Sequence, residues 1–586
     1  MIKNVYIKDY GFMNTTVDFV LKNQLKNREV WEKNVEVFYT REDTEHAKWR
    51  GEYFGKQMRG AVLVYKYSKD DELYDILTDT ATDMLATQDK LGRFSTYEVE
   101  REFCGWDMWC RKYVLVGFIY YLKICKDNAL KERIINACKQ HLDYIVEKIG
   151  SGENQTEITN TSRWWGCVNS CTILEPTVEM YKLTGEQRYM DFAKYVISTG
   201  GSSDCNLIEL ALNGEKLPYQ YPVTKAYEIM SFYEGLLAYY EVTGEDKYFN
   251  AVTRFMDAVE ESDITIIGCA GCTHELFDNS AKTQTEYHEN IMQETCVTVT
   301  WMRVNRRLFE ITGKSKYIDR LEKSGFNAMY GSLNTELNKQ FCIETNSFVE
   351  GSVFDSYSPL YMNTRGRGIG GFNEFKSGGY NGCCIAIGAC GIALMPLSAV
   401  MQDEEKVYVN MLINGNAIVK DKLGKFVDLN LKSNYPADGD GVITVGDDCC
   451  MSIYIRKPAH CDEMTVNGEN VAGEYFVLDK EFAKGERIEI LIKTGVKCIF
   501  LNKKVAFTYG ALALATDEWK CGKNIKNPIE PTTDVRFERI PAKNGEFVRF
   551  IALFKDGNSM LLSDYQSCGK KWLSEQPLMT AWFNCK

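Results

Sequence analysis

The alternation of apolar and polar positions up to about residue 401 is typical of helical hairpins. Segments 181–189, 240–248 and 309–317 share an aromatic residue at the start, a central Thr-Gly and a Tyr at the end. Each segment follows an apolar run of helical period and precedes another. Glycine readily adopts the left-handed conformation that ends a helix. We therefore interpret each segment as the turn of a helix–turn–helix unit.

The spacing of these turns indicates a repeat. Gly185, Gly244 and Gly313 are 59 and 69 residues apart, two fainter copies lie upstream, and a sixth helical run occupies 385–401. Six hairpins of this period predict an (α/α)6 toroid, a closed barrel of helices, over residues 10–401. An open helical solenoid is the alternative. The change to a strand pattern directly after the sixth run favours closure.

Beyond residue 402 the chain is rich in short runs of Val, Ile and Tyr separated by turn sequences. These runs are typical of antiparallel strands and lie at 406–413, 442–446, 451–456 and 487–492. The pattern predicts a β-sandwich region over 402–586. We expect two units within it, the second in much of 520–570, and an added strand from residues 1–9.

Charge and composition narrow the range of partners. The net charge is −12 without a long basic run, which argues against nucleic acid and anionic membranes. No apolar run approaches the roughly 20 residues of a membrane span, and residues 1–9 show no secretory signal pattern. With 21 cysteines that suit reduced, buried thiols, we expect a cytoplasmic protein. Only five histidines are present, which argues against sites built from several histidines and against histidine-based lyases or isomerases.

The pair Cys383–Cys384 lies on a glycine-rich loop just before a predicted helix. A helix N-terminus stabilises a thiolate through the positive end of the helix dipole. Glu294 and Cys296 lie two residues apart at the start of another predicted helix, so both can turn toward one metal ion. Together the four residues make a Cys3Glu set suited to tetrahedral zinc. The alternatives are a pair of buried core thiols and a glutamate that only caps its helix.

Further candidates lie in loops and helix starts. Trp106 and Trp109 flank Asp107, a combination that can stack on a sugar ring and bind its hydroxyl groups, although two core tryptophans would give the same sequence. Trp164 and Trp165 are interpreted in the same way. Cys269 and Cys272 form a C-x-x-C without a second copy, which disfavours a zinc knuckle. Glu275 follows shortly afterwards as a loop carboxylate, either functional or simply solvated.

These residues resemble glycoside hydrolase family 127, the β-L-arabinofuranosidase-like proteins, over nearly the whole chain. The segments that carry the resemblance are 49–56, 105–113, 173–176, 294–301, 306–313, 382–384 and 465–469. The most specific of them is Gly-Cys-Cys at 382–384. The resemblance implies an (α/α)6 barrel followed by β-sandwich modules. It also implies a retaining exo-glycosidase that releases β-L-arabinofuranose or a related plant-glycan sugar from an oligosaccharide or glycoside.

The resemblance also implies roles for individual residues. Zn²⁺ is held by one glutamate and three cysteines, the first cysteine of the pair is the nucleophile, and a glutamate upstream is the acid/base. The residues that match these roles are Glu294, Cys296, Cys383 and Cys384 for zinc, Cys383 as nucleophile and Glu275 as acid/base, with Glu286 and Glu289 as alternatives. Substrate contacts are expected from Glu322, Trp106, Asp107, Trp109, Lys225 and Tyr357. Whether the chain forms a homodimer stays open.

Three other hypotheses remain. Many family members carry a histidine where this chain has Lys225, and the added charge suits an acidic branched sugar of pectin side chains. A carbohydrate-binding toroid without catalytic activity, with zinc in a structural role, fits the same four ligands. A lyase or isomerase on the same barrel is the third, and the scarcity of histidine weighs against it.

Overall fold

The computed structural model describes residues 1–8, 11–45, 48–289, 292–343, 345–366, 371–378, 380–530, 535–543, 545–570 and 577–586. Nearly all the helices precede residue 400. They are α1 (Phe12–Val20), α2 (Arg28–Thr40), α3 (Glu52–Ser68), α4 (Asp71–Ala86), α5 (Asp107–Leu122), α6 (Asn128–Lys148), α7 (Val168–Cys171), α8 (Leu174–Thr184), α9 (Gln187–Ser198), α10 (Leu207–Asn213), α11 (Ala226–Thr243), α12 (Asp246–Ser262), α13 (Ser280–Thr283), α14 (Thr295–Thr312), α15 (Ser315–Ser324), α16 (Cys383–Ala399) and α17 (Glu518–Cys521).

The three Thr-Gly turns end helices as predicted. Gly185, Gly244 and Gly313 follow the last residues of α8, α11 and α14 and have φ of 70°, 69° and 66°. In each case the glycine N–H donates to a carbonyl four residues earlier, at 2.8 Å. The next helix begins two residues later. This left-handed turn fixes the antiparallel course of each hairpin.

Six helices contact one another in sequence around the helical region. The order of contacts is α3, α5, α8, α11, α14 and α16, and α16 contacts α3 again. Every residue of α16 is buried, which fits a helix without a charged side chain. In contrast, α15 buries its apolar face together with Glu322, and its other charged residues are half-buried. No helix in the described ranges joins sufficient length with sufficient apolar character to cross a membrane.

Glycines allow the close packing of α3. A Cβ atom at Gly55 would lie 1.8 Å from the carbonyl oxygen of Tyr113 in α5. A Cβ at Gly60 would lie 2.7 Å from the backbone nitrogen of Cys390 in α16. The backbone of α3 therefore lies directly against the backbones of both neighbouring helices.

The region after α16 is rich in sheet. The strands of the chain are β1 (Lys3–Asn4), β2 (Tyr6–Lys8), β3 (Gln340–Cys342), β4 (Ser347–Val349), β5 (Phe372–Glu374), β6 (Tyr380–Gly382), β7 (Val400–Gln402), β8 (Lys406–Val409), β9 (Gly415–Lys420), β10 (Phe426–Ser433), β11 (Asp440–Val445), β12 (Cys449–Arg456), β13 (Glu463–Val466), β14 (Glu469–Asn470), β15 (Tyr475–Phe482), β16 (Arg487–Lys493), β17 (Val496–Leu501), β18 (Lys504–Tyr509), β19 (Leu512–Asp517), β20 (Arg536–Arg539), β21 (Arg549–Leu553), β22 (Ser559–Asp564), β23 (Met579–Thr580) and β24 (Phe583–Asn584).

These strands form three larger sheets. One has the order β1-β7-β8-β12-β15 and a second the order β14-β13-β16-β11-β10-β9-β2. The third has the order β17-β18-β19-β22-β21-β20, with β23 and β24 pairing at its side. Strands β1 and β2 therefore join the first residues of the chain to the sheets that follow α16. The hairpins β3-β4 and β5-β6 lie between α15 and α16.

All four strand runs quoted from the sequence form strands, namely β8, β11, β12 and β16. The expected second β unit begins earlier than residue 520, because β17, β18 and β19 already belong to its sheet. Strand β17 is an edge strand with exposed side chains and lysine neighbours.

Candidate metal centre and active site

Four side chains converge at the start of two helices. Ligand atoms of Glu294, Cys296, Cys383 and Cys384 all lie within 4.8 Å of one another. The Sγ of Cys384 is 3.5 Å from that of Cys296 and 3.7 Å from that of Cys383. Oε1 of Glu294 is 3.6 Å from Sγ of Cys384 and 3.9 Å from Sγ of Cys383.

Helix beginnings position these groups. Glu294 is the residue that caps α14, Cys296 is in its first turn, and Cys383 is the first residue of α16. A backbone β-bridge between Glu294 and Tyr357 fixes the segment before α14. The cluster thus lies at the N-termini of both helices, whose positive dipole ends favour anionic ligands.

The pKa values of the cluster residues are strongly shifted from their usual values. Burial raises the pKa of Glu294, Cys296 and Cys384 well above their usual values. Hydrogen bonds from the neighbouring thiols of Cys296 and Cys384 instead hold the pKa of Cys383 well below its usual value. The neighbouring thiols thus favour an anionic Cys383 sulfur.

The donor set fits a metal ion. Oε2 of Glu294 is buried without a hydrogen-bond partner, an arrangement that is costly unless another ligand satisfies it. Tetrahedral coordination with metal–sulfur distances of about 2.3 Å has sulfur–sulfur edges of about 3.8 Å, close to those of this cluster. Three sulfurs and one carboxylate in a buried site can thus hold a metal ion.

A cavity of about 350 Å³ opens beside the cluster. Its lining consists of Trp49, Glu52, Lys56, Trp106, Trp109, Trp165, Lys225, Tyr227, Glu228, His274, Glu275, Glu294, Ile343, Tyr357, Gly371 and Cys383. Cys383 is the cysteine of the cluster that contributes to this lining; it is 9% exposed, whereas Cys296 and Cys384 are fully buried. The aromatic walls and the clustered carboxylates suit a polyhydroxylated ligand.

Glu275 lies in the loop between α12 and α13 and lines the same cavity as Cys383. His274 and Glu275 both have positive φ, of 48° and 62°, a costly conformation for consecutive residues other than glycine. The loop is held because the Glu275 carbonyl accepts from Ala226 N at 3.1 Å. Tyr357 donates its hydroxyl to Oε1 of Glu275 at 2.7 Å, and Lys225 donates to Oε2.

The alternatives for the acid/base lie elsewhere. Glu286 and Glu289 are exposed, and neither lines the cavity. Among the three carboxylates considered from the sequence, Glu275 alone faces the same space as Cys383.

Comparisons with known proteins identify the family of the chain. Residues 7–358 match the family described as "Beta-L-arabinofuranosidase, GH127 catalytic domain". The chain belongs to the GH127 family. It is therefore a glycoside hydrolase.

Solved structures with a similar fold include GH127 proteins. A GH127 β-L-arabinofuranosidase from Geobacillus stearothermophilus T6 is 17% identical, with a TM-score of 0.74 and full coverage of both chains. Another GH127 β-arabinofuranosidase is 16% identical, with a TM-score of 0.72 over 100% of this chain and 98% of its own. At these identities the likeness concerns the fold. The search of curated proteins gave no match.

Two residues expected to contact substrate lie outside the cavity of this GH127 protein. Glu322 is fully buried where α15 meets the sheets; its carboxylate accepts from Tyr435 at 2.6 Å and from Arg456 at 2.8 Å. Asp107 is also fully buried and accepts from Ser95 at 2.6 Å and from Arg111 at 3.0 Å. Both carboxylates thus take part in bonds within the protein rather than in the lining of the cavity.

Two acidic residues of the GH127 cavity were not singled out in the sequence. Burial raises the pKa of Glu52 to about 7, even though Lys56 lies close by. Glu228 is buried, and its Oε2 lacks a hydrogen-bond partner. The sequence carried a signal for Glu52, because Glu52 and Lys56 are four residues apart on one face of a helix. Glu228 had no signal beyond its nearness to Lys225.

The C-x-x-C pair does not join the metal cluster. Its thiols are buried, and Cys269 donates to the backbone carbonyl of Glu294 at 3.4 Å. Burial raises the pKa of Cys269 to about 12. This cysteine supports the segment that carries Glu294.

Proposed function

We propose that this GH127 protein is a retaining exo-acting β-L-arabinofuranosidase with Cys383 as nucleophile and Glu275 as acid/base. The observation that carries the proposal is that Cys383 belongs both to the four-residue cluster and to the lining of the cavity that also contains Glu275. A sulfur with these two properties can be held as a thiolate and still reach a substrate. The expected substrate is an oligosaccharide or glycoside.

The ring of six contacting helices supports an (α/α)6 toroid over residues 10–401. We interpret the sheets of five and seven strands as a β-sandwich within 402–586, joined by the strands of residues 1–9. In this arrangement, residues at the beginnings of α5, α11, α14 and α16 line the cavity.

Zinc is the metal that the donor set favours, because soft thiolates with one carboxylate suit a closed tetrahedral zinc site. Glu294, Cys296, Cys383 and Cys384 would hold it. When bound, zinc keeps the thiols deprotonated at neutral pH.

The reaction consists of two displacements by residues of this chain. The Cys383 thiolate forms a bond to the anomeric carbon while the glycosidic C–O bond breaks, and Glu275 gives its proton to the departing oxygen. A covalent thioglycosyl intermediate results. Glu275, now ionised, takes a proton from water, whose oxygen attacks the anomeric carbon as the C–S bond breaks. Two inversions restore the original configuration.

An acidic pectin sugar is the second candidate because Lys225 lines the cavity. However, Lys225 already donates to Glu275. Although burial alone would lower the pKa of Lys225, the carboxylates of Glu275, Glu228 and Glu294 raise it well above its usual value. The ammonium charge is thus compensated within the protein, which favours a neutral sugar. Equal cleavage of neutral and acidic glycosides by wild type and Lys225→Ala would count against a carboxylate-binding role.

Hydrolysis of p-nitrophenyl furanosides and pyranosides, together with metal analysis, tests the proposal. We expect cleavage of the β-L-arabinofuranoside, about one zinc per chain, and initial release of the β-anomer when the reaction is followed by proton NMR. Sugar binding without any hydrolysis, combined with loss of fold on chelation, would instead favour the carbohydrate-binding toroid with a structural metal. Initial release of the α-anomer would exclude the double displacement.

A further inference from the structure

A buried lysine lies beside the metal cluster, in the lining of the cavity. Lys56 of α3 is 1% exposed, and its Nζ is 3.7 Å from Sγ of Cys296 and 2.9 Å from Oε1 of Glu52. The other oxygen of Glu52 accepts from the indole N–H of Trp109. A continuous chain of contacts therefore runs from the cavity wall through Glu52 and Lys56 to Cys296.

Aromatic rings fix the position of this ammonium group. The Nζ of Lys56 lies 4.5 Å from the ring centroid of Tyr227, 5.5 Å from that of Tyr113 and 5.8 Å from that of Trp109. Cation–π attraction on these faces and the Glu52 carboxylate stabilise the charge without water. The same ammonium group donates to Sγ of Cys296 at 3.7 Å.

The negative charge of the cluster favours a cation such as Lys56 beside Cys296. Three thiolates and one carboxylate around a divalent cation leave two negative charges, which are costly in a buried site without a compensating cation. Lys56 supplies that cation at Cys296. Its N–H···S hydrogen bond also fixes the direction of the Cys296 sulfur, as outer partners of metal ligands commonly do.

We propose that Lys56 is a positioning residue that holds Cys296 as a metal ligand and compensates the negative charge of the cluster. The inference rests on the proposed metal site. The hydrogen bond also draws electron density from the Cys296 sulfur. It thereby distinguishes Cys296, as a metal ligand, from Cys383, the proposed nucleophile. Removing an outer partner of this kind typically weakens metal affinity about 10–100-fold.

The chain offers a matched control. Lys112 on α5 is also 1% exposed, and its Nζ lies 4.6 Å and 4.9 Å from the ring centroids of the same Trp109 and Tyr113. It lies outside the lining of the cavity, and its main charged neighbours are Glu175 and Arg59 rather than the cluster. Lys112→Met thus removes a buried lysine from the same aromatic group without touching Cys296.

The test measures zinc affinity by competition with a chromophoric chelator, and the thiolate-to-cobalt charge-transfer band after cobalt substitution. We expect Lys56→Met to bind zinc about 10–100-fold more weakly and to shift the band, Lys56→Arg to recover part of the affinity, and Lys112→Met to match wild type. Should circular dichroism show that Lys56→Met is unfolded, Lys56→Gln takes its place, and we expect the same direction of change.

The outcomes separate this inference from the proposed function. Wild-type protein without a bound metal would overturn both. Wild-type protein that binds zinc and hydrolyses substrate, with unchanged affinity and band in Lys56→Met, would overturn only the role of Lys56. Equal loss of affinity in Lys56→Met and Lys112→Met would likewise overturn it, because the effect would then belong to the loss of any buried lysine.

Discussion

Cys296, Cys383 and Cys384 share one cluster but differ in access to the cavity. Cys296 is buried in the first turn of α14 and contacts Lys56, and Cys384 points away from the cavity lining. Cys383 lies at the first residue of α16, lines the cavity and carries the lowered pKa. At the scale of single residues, exposure and hydrogen bonding thus support Cys383, rather than the other two cysteines, as the proposed nucleophile.

Substitution of the nucleophile tests this distinction. We expect Cys383→Ser to lower kcat/KM by at least about 10³-fold, because a serine hydroxyl stays protonated where the thiol ionises. Cys390→Ser is the matched control, since Cys390 is buried on the same helix outside the cluster. Activity of Cys383→Ser near that of the control would refute the assignment.

Removal of the acid/base has a different kinetic signature. We expect Glu275→Ala to hydrolyse substrates with poor leaving groups about 10²–10⁴-fold more slowly, and to retain more activity on p-nitrophenyl glycosides, which need less protonation. Glu286→Ala should behave as wild type, because this carboxylate is exposed outside the cavity. The same loss on all leaving groups would assign the proton transfer to another residue.

The sequence alone allowed the four cluster residues to be grouped, because vicinal cysteines and Glu-x-Cys at helix starts are local patterns. Glu52 and Lys56 could not be assigned in this way. Their contacts depend on the packing of α3 against α5 and α14, which no local pattern encodes. The bond of Glu322 to Arg456 could not be predicted for the same reason, since the two residues are 134 positions apart in the sequence.

At the scale of elements, the site depends on the close approach of α3 to its neighbours. Glu52 and Lys56 of α3 lie against Trp109 of α5 because Gly55 leaves no side chain between the two backbones. The Thr-Gly turns that define the hairpins were evident from the sequence. The glycines within α3 were not, because their role appears only when a second helix is present.

A single methyl group should disturb this packing. We expect Gly55→Ala to lower the free energy of unfolding by about 3 kcal/mol or more, since the added Cβ would meet the Tyr113 carbonyl at 1.8 Å and overpack the contact. Thermal unfolding measures the effect. Gly473→Ala, with no atom within 4 Å of the added Cβ, is the control and should unfold close to wild type. Equal midpoints for both variants would contradict the packing account.

At the scale of the whole molecule, ion pairs join the helical region to the sheets. Arg456 of β12 binds Asp319 and Glu322 of α15, and the adjacent His460 lies 3.2 Å from the Tyr435 hydroxyl. Asp319, Glu322 and His460 are close enough to hold a metal. Because Arg456 already pairs with both carboxylates, we interpret the group as a structural junction. The division into a helical part and a sheet-rich part was predictable from periodicity, but this junction was not.

This junction makes a contribution of known sign to the pH dependence of stability. Burial, aided by Arg456, lowers the pKa of His460 to about 4. The unfolded chain takes up the proton near pH 6.5, whereas the folded chain does so only near pH 4. Stability is therefore lost as the pH falls through this window. We expect the melting temperature of His460→Gln to change less between pH 7 and pH 4.5 than that of wild type. An identical change in both would show that His460 does not titrate in this way.

The central claim is that the Cys383 sulfur bonds to the anomeric carbon of the substrate. The Glu275→Ala variant should form the intermediate from a p-nitrophenyl β-L-arabinofuranoside and break it slowly, because no residue then activates water. Rapid quenching followed by peptide mass spectrometry measures the adduct directly. The account predicts one added pentose on Cys383, with Cys384 unmodified in the same peptide. A pentose on a carboxylate or on Cys384, or hydrolysis without any adduct, would contradict it.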